Sequence, residues 1–386
     1  MQNVTGRWFG VGHSTAPDSA KAGAEAAAGA FDGRTPGVVF VFCSTSHDLH
    51  ALLAAVRAEA GSAAAIVGST TLGELSSSGG AAVGSVAVTA LGGDGFTIRT
   101  RVAHTGGHGH RAAGADVAAA MAGLNRSHTA LMLLCDGLAG DPQEIVRGAY
   151  SVLGAAVPLV GGFSGDDRGS NRAFQFHGDR VLSGAVVGIA LGSDAPLGVG
   201  IAHGWHRTEP AMVATRSEGG RIFQLDGEPA LDVLLRRRGV PAAADLFDGV
   251  ATRLALGLSR RSSDDIRVIH GGDESDRSIM TTATVPQGAV CWLMNSEYQA
   301  MIDGAGQSCA EAIAGLGGAP PLGLFTFDCG GRRGILGSDG TQEEVEAIRA
   351  VVGEVPFGGF YTMGEIARVR GSWGTHALTL VTLALA

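Results

Sequence analysis

Apolar runs alternate with amphipathic stretches along this chain in the way expected for an α/β protein. Pro36–Phe42 is a continuous apolar run, which is typical of a strand covered on both faces. Asp48–Ala60 follows with helical spacing, and Ala64–Val67 is apolar again. Together the three segments predict a β-α-β unit with a right-handed crossover.

The same design occurs three times in the chain. Each copy has an apolar strand that ends in cysteine, then a helix, then a second apolar strand that leads into a glycine pair or Gly-Ser. The copies run from residues 38 to 69, 131 to 162 and 323 to 359. Because parallel strands end at one edge of a sheet, the loops that follow each unit should be neighbours, and ligands of α/β sheets bind at that edge.

Hairpin patterns separate these units. Gly84–Leu91 and Phe96–Val102, for example, are joined by a glycine-rich turn. We therefore predict an α/β protein of two related halves, built from repeated β-α-β units with added antiparallel hairpins. The pattern resets near residue 225, which predicts one domain over residues 1–225 and a second over residues 226–386.

Composition and charge exclude several classes of function. Of the 386 residues, 45% are hydrophobic, so the chain should be globular. Its formal charge of −9 offers no basic face, so we expect no nucleic acid partner. Lys21 is the only lysine, which excludes a Schiff-base mechanism at any other position.

Other features bear on the protein's location. No apolar run reaches the ~18 residues of a membrane span, so we expect no membrane partner. The five cysteines form no Cys-x-x-Cys pair, which argues against a disulfide framework. With no signal-peptide layout at the N terminus, these observations predict a cytoplasmic protein.

The loops after the strands supply the candidate ligand-binding residues. Their glycines let backbone amides approach an anion, and Thr71–Leu75 and Thr362–Ile366 are near copies of each other. The candidates from the three units are Cys43, Ser44, Gly68, Ser69, Thr70 and Glu74; Gly161, Gly162, Phe163, Ser164 and Asp166; and Cys329, Arg332, Tyr361, Thr362 and Glu365. The alternative is that the glycines only permit tight turns.

Specific roles can be assigned to some of these residues. The amides of Gly68–Thr70 and Gly161–Phe163 are predicted to hold a carboxylate, with Arg332 as its counter-charge. The carboxylates of Glu74 and Glu365 either bind an amine or brace their own loops by accepting hydrogen bonds. Both interpretations of the two glutamates stay open from the sequence.

Cysteine and histidine suggest two further kinds of chemistry. Cys43 or Cys329 is a possible nucleophile, although a buried cysteine also serves as a small apolar residue at a strand end. His203 and His206 flank Trp205 and are candidates for binding haem, while a buried, hydrogen-bonded histidine is the ordinary alternative. No spacing of histidines and cysteines fits a zinc site, so we predict no metal and assign no catalytic residue.

Several short motifs, taken in order, resemble the FIST family of bacterial sensory proteins over nearly the whole chain. The motifs are Val39–Cys43, Val67–Leu75, Leu159–Gly162, Leu225–Ala230, Phe327–Arg332 and Gly359–Ile366. The resemblance implies a cytoplasmic module that binds a small metabolite, an amino acid being favoured. It also implies that a related protein could bind haem and sense nitric oxide.

The resemblance and the loops together predict an intracellular sensor. Its small-molecule ligand, amino-acid-like by preference, should bind where the glycine-rich loops converge, without a cofactor. Because no output domain is visible in the sequence, the signal should pass through a separate signalling protein. The alternatives are a haem-binding nitric oxide or gas sensor and a cysteine-dependent enzyme.

Overall fold

Most of this protein consists of mixed β-sheets flanked by helices. The computed structural model describes residues 6–138, 140–208, 210–247, 254–259, 264–369 and 374–386. None of the helices in these ranges is long and apolar enough to cross a membrane.

The elements are numbered in chain order over the described ranges. The strands are β1 (Trp8–Ser14), β2 (Val38–Cys43), β3 (Ala65–Thr70), β4 (Glu74–Ser76), β5 (Gly80–Ala82), β6 (Val86–Gly92), β7 (Phe96–His104), β8 (His128–Asp136), β9 (Leu159–Ser164), β10 (Gln175–His177), β11 (Arg180–Leu182), β12 (Ala185–Ser193), β13 (Leu197–Ala202), β14 (His206–Arg207), β15 (Met212–Glu218), β16 (Arg221–Leu225), β17 (Glu228–Pro229), β18 (Ala255–Ser259), β19 (Asp264–Asp273), β20 (Ser278–Thr281), β21 (Val290–Asn295), β22 (Gly323–Cys329), β23 (Phe357–Thr362), β24 (Glu365–Arg368), β25 (Gly374–His376) and β26 (Leu380–Leu385). The helices are α1 (Ser19–Phe31), α2 (Leu49–Ala60), α3 (Thr105–His108), α4 (His110–Ala118), α5 (Pro142–Leu153), α6 (Ala230–Arg238), α7 (Ala243–Phe247), α8 (Tyr298–Ala314) and α9 (Gly330–Val352).

Three of the sheets have the same strand order. They are β1-β6-β2-β3-β10-β11, β7-β12-β8-β9-β24-β25 and β13-β26-β22-β23-β4-β5. In each sheet the two central strands are parallel and belong to one of the predicted units, namely β2 with β3, β8 with β9, and β22 with β23. The three β-α-β units read from the sequence are therefore present.

The outer hairpin of each of these sheets comes from a different repeat. The β4–β5 hairpin follows β3 in the chain but pairs with β23. In the same way β10–β11 follows β9 but pairs with β3, and β24–β25 follows β23 but pairs with β9. Each repeat thus gives its hairpin to one neighbour and receives a hairpin from the other, which closes a cycle of three.

The prediction of two related halves is not confirmed by this topology. The repeating unit is a strand, a helix, a β-α-β unit, a donated hairpin and a last strand, and it occurs three times. The predicted boundary near residue 225 stays a prediction. Among the described residues, three of the four sheets contain strands from both sides of it. The reset of the pattern near residue 225, which suggested two halves, lies within the strands β15–β21 that are inserted into the third repeat.

The third repeat carries an inserted barrel between β13 and α8. Its strands run in the order β15-β16-β20-β19-β18-β21, and β21 pairs with both β18 and β15, which closes the ring. Its apolar core is separate and includes Ile222, Leu231 and Leu256. Ala255, Ile266 and Met294 of the barrel also pack with Cys329 and Leu378 of the third repeat.

The three repeat sheets share one core and are each covered outside by their own helices. Phe40, Met132, Val187, Phe325 and Phe360 belong to the shared core, so all three repeats contribute to it. The outer faces pack against α1 and α2, against α4 and α5, and against α8 and α9. Coverage on both faces explains why the central strands are continuous apolar runs.

Glycines at equivalent positions let the parallel strands of each repeat come close together. A Cβ atom on Gly68, Gly161 or Gly359 would lie 1.9, 2.0 or 1.7 Å from a carbonyl oxygen of the neighbouring strand. No side chain fits at that distance. The repeated glycines therefore serve the packing of the strands.

Candidate ligand-binding site

The loops that follow β3, β9 and β23 meet at one place. The amide of Leu72 in the first loop donates to the carbonyl of Tyr361 in the third repeat at 2.9 Å. The amide of Met363 donates to the carbonyl of Phe163 in the second repeat at 3.0 Å. A further bond of 3.1 Å, from Gly165 to Thr70, joins the second and first loops.

Two of these loops are fixed at their base by a fully buried glutamate. One oxygen of Glu74 accepts from the Thr71 hydroxyl at 2.5 Å, and the other accepts from the Ser85 hydroxyl at 2.5 Å and amide at 3.2 Å. Glu365 repeats the arrangement with Thr362 at 2.7 Å and with the Thr379 hydroxyl and amide at 2.7 and 3.2 Å.

The second repeat has a glutamine in the equivalent position. Gln175 is the first residue of its hairpin, as Glu74 and Glu365 are of theirs. Its Oε1 accepts from the amide of Ala185 at 3.1 Å, and its Nε2 donates to the hydroxyl of Ser164 at 2.6 Å. We call Glu74, Gln175 and Glu365 the loop braces.

Burial alters the acidity of the two glutamate braces. It raises the pKa of Glu74 from its ordinary value of 4.5 to about 7, although the hydrogen bonds from Ser85 and Thr71 act in the opposite direction. The pKa of Glu365 is raised to about 7 for the same reason. Each site therefore shifts the equilibrium towards the protonated carboxyl, which is neutral like the carboxamide of Gln175.

A cavity of about 310 Å³, the junction cavity, lies beyond the tips of the loops and against the barrel. All three repeats and the barrel contribute to its wall. Its larger apolar side chains are Leu72, Phe163, Ile266, Val268, Met363 and Leu378. Apolar walls with a few polar groups are typical of small-molecule sites.

Two buried basic side chains belong to the same wall. Arg267 is 1% exposed, and its guanidinium donates to the carbonyl of Ile266 at 3.0 Å and lies 3.8 Å from a carboxylate oxygen of Asp265. The Nε2 atom of His376 lies 2.8 Å from the carbonyl of Ala367, so Nε2 carries the proton. Burial lowers the pKa of His376, which leaves its ring neutral.

Two family models together match most of this chain. The FIST N domain matches residues 37–228, and the FIST C domain matches residues 230–368. This chain belongs to the FIST family. FIST domains are linked to sensing and signal transduction.

The relatives of this FIST protein share its length to different extents. An uncharacterized protein of Mycobacterium tuberculosis is 30% identical over 396 residues, covering 96% of this chain and 97% of the relative. One of Mycobacterium bovis is 28% identical over 232 residues, 57% of this chain and 58% of the relative. One of Methanocaldococcus jannaschii is 30% identical over 90 residues, 23% of this chain and 17% of the relative.

Three of the predicted site residues line the junction cavity of this FIST protein. They are Phe163, Cys329 and Thr362. Leu72, Met363 and the barrel residues were not predicted. Leu72 and Met363 occupy the same position of the repeated Thr-x-Gly-Glu motif, which was the available signal. The barrel residues carry no motif, and only the folded chain brings them to the loops.

The predicted carboxylate-binding amides are instead used by the sheets. The amide of Thr70 donates to the carbonyl of Phe174 at 2.9 Å, and that of Phe163 donates to Gly364 at 2.9 Å. Gly68 and Ser69 lie within the paired strand β3, and Gly161, Gly162 and Ser164 lie within β9. A ligand carboxylate therefore cannot bind these amides without opening a sheet.

Arg332 is also not available as a counter-charge for a ligand. Its fully buried guanidinium donates to Asp328 at 2.8 Å, to Glu344, and to the carbonyl of Met301 at 2.8 Å. The hydroxyl of Tyr361 donates to Glu344 at 3.1 Å in the same network. The charge of Arg332 is thus neutralised inside the third repeat, away from the junction cavity.

Another group of predicted residues links the first and second repeats. The hydroxyl of Ser44 donates to Asp167 at 2.6 Å, and that of Thr45 donates to Asp166 at 2.7 Å. These bonds tie the loop after β2 to the loop after β9. Ser44 and Asp166 are therefore connections between repeats, and they do not line the junction cavity.

The cysteines are unsuited to act as nucleophiles. Burial raises the pKa of the Cys43 thiol, and the carboxylates of Glu74 and Asp167 raise it further. Burial raises the pKa of Cys329 in the same way. A thiol becomes reactive when its pKa is lowered, so both environments favour the inert thiol.

The two histidines proposed for haem lie in different surroundings. His206 is exposed on the two-residue strand β14. His203 accepts from the amide of Trp205 at 2.9 Å, and it lines another cavity whose wall includes the carboxylates of Asp264 and Glu311. A haem needs apolar walls over both faces of its ring, so these residues fit one poorly.

Proposed function

We propose that this FIST protein is a sensor that binds a small molecule in the junction cavity. The observation that carries the proposal is the composition of the wall, to which the three loop tips and the barrel all contribute. A ligand held there contacts four parts of the fold at once. Ligand binding then favours one arrangement of those parts over others, which is what a sensor requires.

The proposal includes transfer of the signal to a separate protein. Leu378 of the third repeat and Ile266 of the barrel belong to one apolar cluster at the boundary between these two parts, and both line the junction cavity. A ligand that fills the cavity adds contacts on both sides of that boundary. The outer surface of the barrel would then report occupancy to a signalling partner.

A second cavity supplies an internal control. This hairpin cavity, of about 380 Å³, lies between the β4–β5 hairpin and α9 and includes Val83 and Arg333 in its wall. None of the described residues that line it belongs to the barrel or to the second repeat. Filling it should leave sensing intact if the junction cavity is the ligand site.

The test is a thermal-unfolding screen with amino acids and small organic acids, followed by cavity-filling variants. A ligand at 100 times its dissociation constant stabilises the fold by about 2.7 kcal/mol, which raises the midpoint by a few degrees. Ala283→Phe, which fills the junction cavity, should abolish that shift, and Val83→Phe in the hairpin cavity should preserve it. A shift that survives Ala283→Phe and is lost in Val83→Phe would overturn the proposal.

A further inference from the structure

We propose that the ligand of the junction cavity is a neutral, predominantly apolar molecule of about ten non-hydrogen atoms. This inference rests on the proposed function and names the class of compound that the site accepts. It differs from the amino-acid-like ligand that the family resemblance favours. The size of the cavity, the strand face that the barrel presents to it and the engagement of its polar groups each support the proposal.

The size of the cavity sets the size of the ligand. One water molecule occupies about 30 Å³ of liquid, so a volume of about 310 Å³ accommodates about ten non-hydrogen atoms. Six large apolar side chains border this space, among them Phe163, Ile266 and Met363. Most of the ligand's surface must therefore be apolar to match the wall.

The barrel presents an apolar strand face to the cavity. Ile266 and Val268 of β19 lie on one face of the strand and pack with Leu378 of the third repeat. Arg267 also belongs to the wall, but it lies between them, and successive side chains of a strand point to opposite faces. Its cross-strand partner is Leu256, a residue of the barrel core. The side chain of Arg267 therefore points towards the barrel core, and the ligand meets hydrocarbon.

The charge of Arg267 is compensated within the barrel. Asp265, which lies two residues earlier on the same strand face, is buried and has a carboxylate oxygen 3.8 Å from the guanidinium. The guanidinium also donates to the carbonyl of Ile266 at 3.0 Å and to that of Thr284 at 3.3 Å. A carboxylate in the cavity would lose its water without gaining this cation as a partner, and such a transfer is costly.

The two histidines of the wall do not change this selection. Burial lowers the pKa of His376, which keeps its ring neutral, and its Nε2 atom lies 2.8 Å from the carbonyl of Ala367. His270 is exposed, so water and salt screen any charge on its ring. Neither histidine therefore supplies a buried cation for a ligand.

Two hydroxyl groups of the wall are used within the protein. That of Thr362 donates to Glu365 at 2.7 Å, and that of Thr282 accepts from the amide of Val268 at 3.3 Å. No aspartate or glutamate is among the described residues that line the cavity. An ammonium group would therefore also be unpaired there, so the wall disfavours either sign of charge.

Matched probes test this inference on the wild-type protein, and they extend the thermal-unfolding screen to neutral alcohols. Octanol, octanoate, octylamine and 2-aminooctanoate have about the same size and differ in charge at about pH 7. Calorimetry should show octanol binding at least about tenfold more tightly than each charged compound. Equal or tighter binding of a charged compound would overturn the inference and leave the proposed sensor standing. The same conclusion follows if octanol fails to bind while a charged compound binds in the cavity.

Variants separate the failure of this inference from the failure of the proposed function. Ala283→Phe should abolish octanol binding, and Val83→Phe in the hairpin cavity should preserve it. Octanol binding that survives Ala283→Phe contradicts the site. If no compound of any class binds in a way that Ala283→Phe abolishes, the sensor proposal itself fails.

A further variant tests whether Arg267 takes part in selection. Arg267→Met should leave the ratio of octanol affinity to octanoate affinity nearly unchanged, because the guanidinium is engaged inside the barrel. A selective loss of octanoate affinity of about tenfold in this variant would identify Arg267 as an anion partner and overturn the inference. If Arg267→Met does not fold, the ranking of the four probes on the wild-type protein decides.

Discussion

The base and the tip of the first and third loops differ in character although a single glycine separates them. At the base, Glu74 and Glu365 are fully buried and hydrogen-bonded on both oxygens. At the tip, Leu72 and Met363 line the junction cavity, and Met363 is 45% exposed. The comparison teaches that one short motif braces the loop at one position and lines the junction cavity two residues earlier.

Glycine makes this division possible within so few residues. Gly73 and Gly364 stand between tip and base with φ angles of 141° and 154°, in the region that favours glycine. The chain reverses there, so the residue before the glycine points to the cavity and the residue after it points to the core. Under the proposed function, the base should therefore contribute to stability and the tip to ligand binding.

The largest effect should follow from removing the buried cation behind the third loop. Arg332→Met leaves Asp328 and Glu344 buried without their partner, which should lower the free energy of unfolding by about 3–5 kcal/mol. Denaturant unfolding measures this loss. Arg333→Met, next to it and only half-buried, is the matched control and should cost less than about 1 kcal/mol. Equal losses in the two variants would contradict the role of Arg332.

Within the third loop, a substitution at the base should lower the free energy of unfolding more than a substitution at the tip. Glu365→Ala removes the acceptors for Thr362 and Thr379 and leaves a void, so the free energy of unfolding should fall by about 3 kcal/mol. Met363→Ala should cost less than about 1 kcal/mol because that side chain is partly exposed. The comparison fails if the tip variant is the less stable of the two.

The braces should also make stability depend on pH. The pKa of each glutamate brace is about 7 in the folded protein and about 4.5 when unfolded, so the folded state binds the proton more tightly. The stabilisation is complete below pH 4.5 and is lost as the pH rises through 7. The free energy of unfolding should therefore fall by on the order of 2 kcal/mol per glutamate between about pH 5 and pH 8.

The neutral brace Gln175 suggests a control for this pH dependence. A double variant, Glu74→Gln with Glu365→Gln, gives all three repeats the same neutral brace and should flatten this pH dependence. Urea unfolding at several pH values measures it. A slope that is unchanged in the double variant would show that other groups cause the pH dependence.

The smallest expected effect concerns binding alone. Met363→Ala should weaken about fivefold the binding of a compound that the thermal-unfolding screen identifies, since it removes about 1 kcal/mol of apolar contact in the cavity. Glu365→Gln should leave the affinity unchanged because its side chain does not line the cavity. Calorimetric titration of both variants checks the pair, and the opposite ranking would contradict the division between tip and base.

Local sequence patterns predicted the elements but not their exchange between repeats. The three β-α-β units follow from apolar runs and helical spacing, and the structure confirms them. Which sheet a hairpin joins depends on contacts far along the chain, so the sequence of β4–β5 does not reveal its pairing with β23. The same holds for the closed barrel, whose strands are short and whose ring closes between β18 and β21.

The sequence predicted where the candidate site lies better than it predicted which residues line it. The convergence of the loops followed from the repeats, and Thr362 and Phe163 do line the cavity. The polar residues of the predicted site misled the assignment of roles, because buried residues such as Glu74 and Arg332 form hydrogen bonds with other parts of the protein. Burial depends on tertiary packing, which a motif alone does not show.

The most direct test of the central claim is a methyl NMR titration of the wild-type protein with a compound that stabilises it in the thermal-unfolding screen. Binding in the junction cavity should shift the methyl resonances of Leu72, Met363 and Ile266, which belong to the first repeat, the third repeat and the barrel. The methyls of Val83 in the hairpin cavity should not move. Shifts centred on Val83, or no shifts at Leu72, Met363 and Ile266, would contradict the claim that loop tips and barrel together form the ligand site.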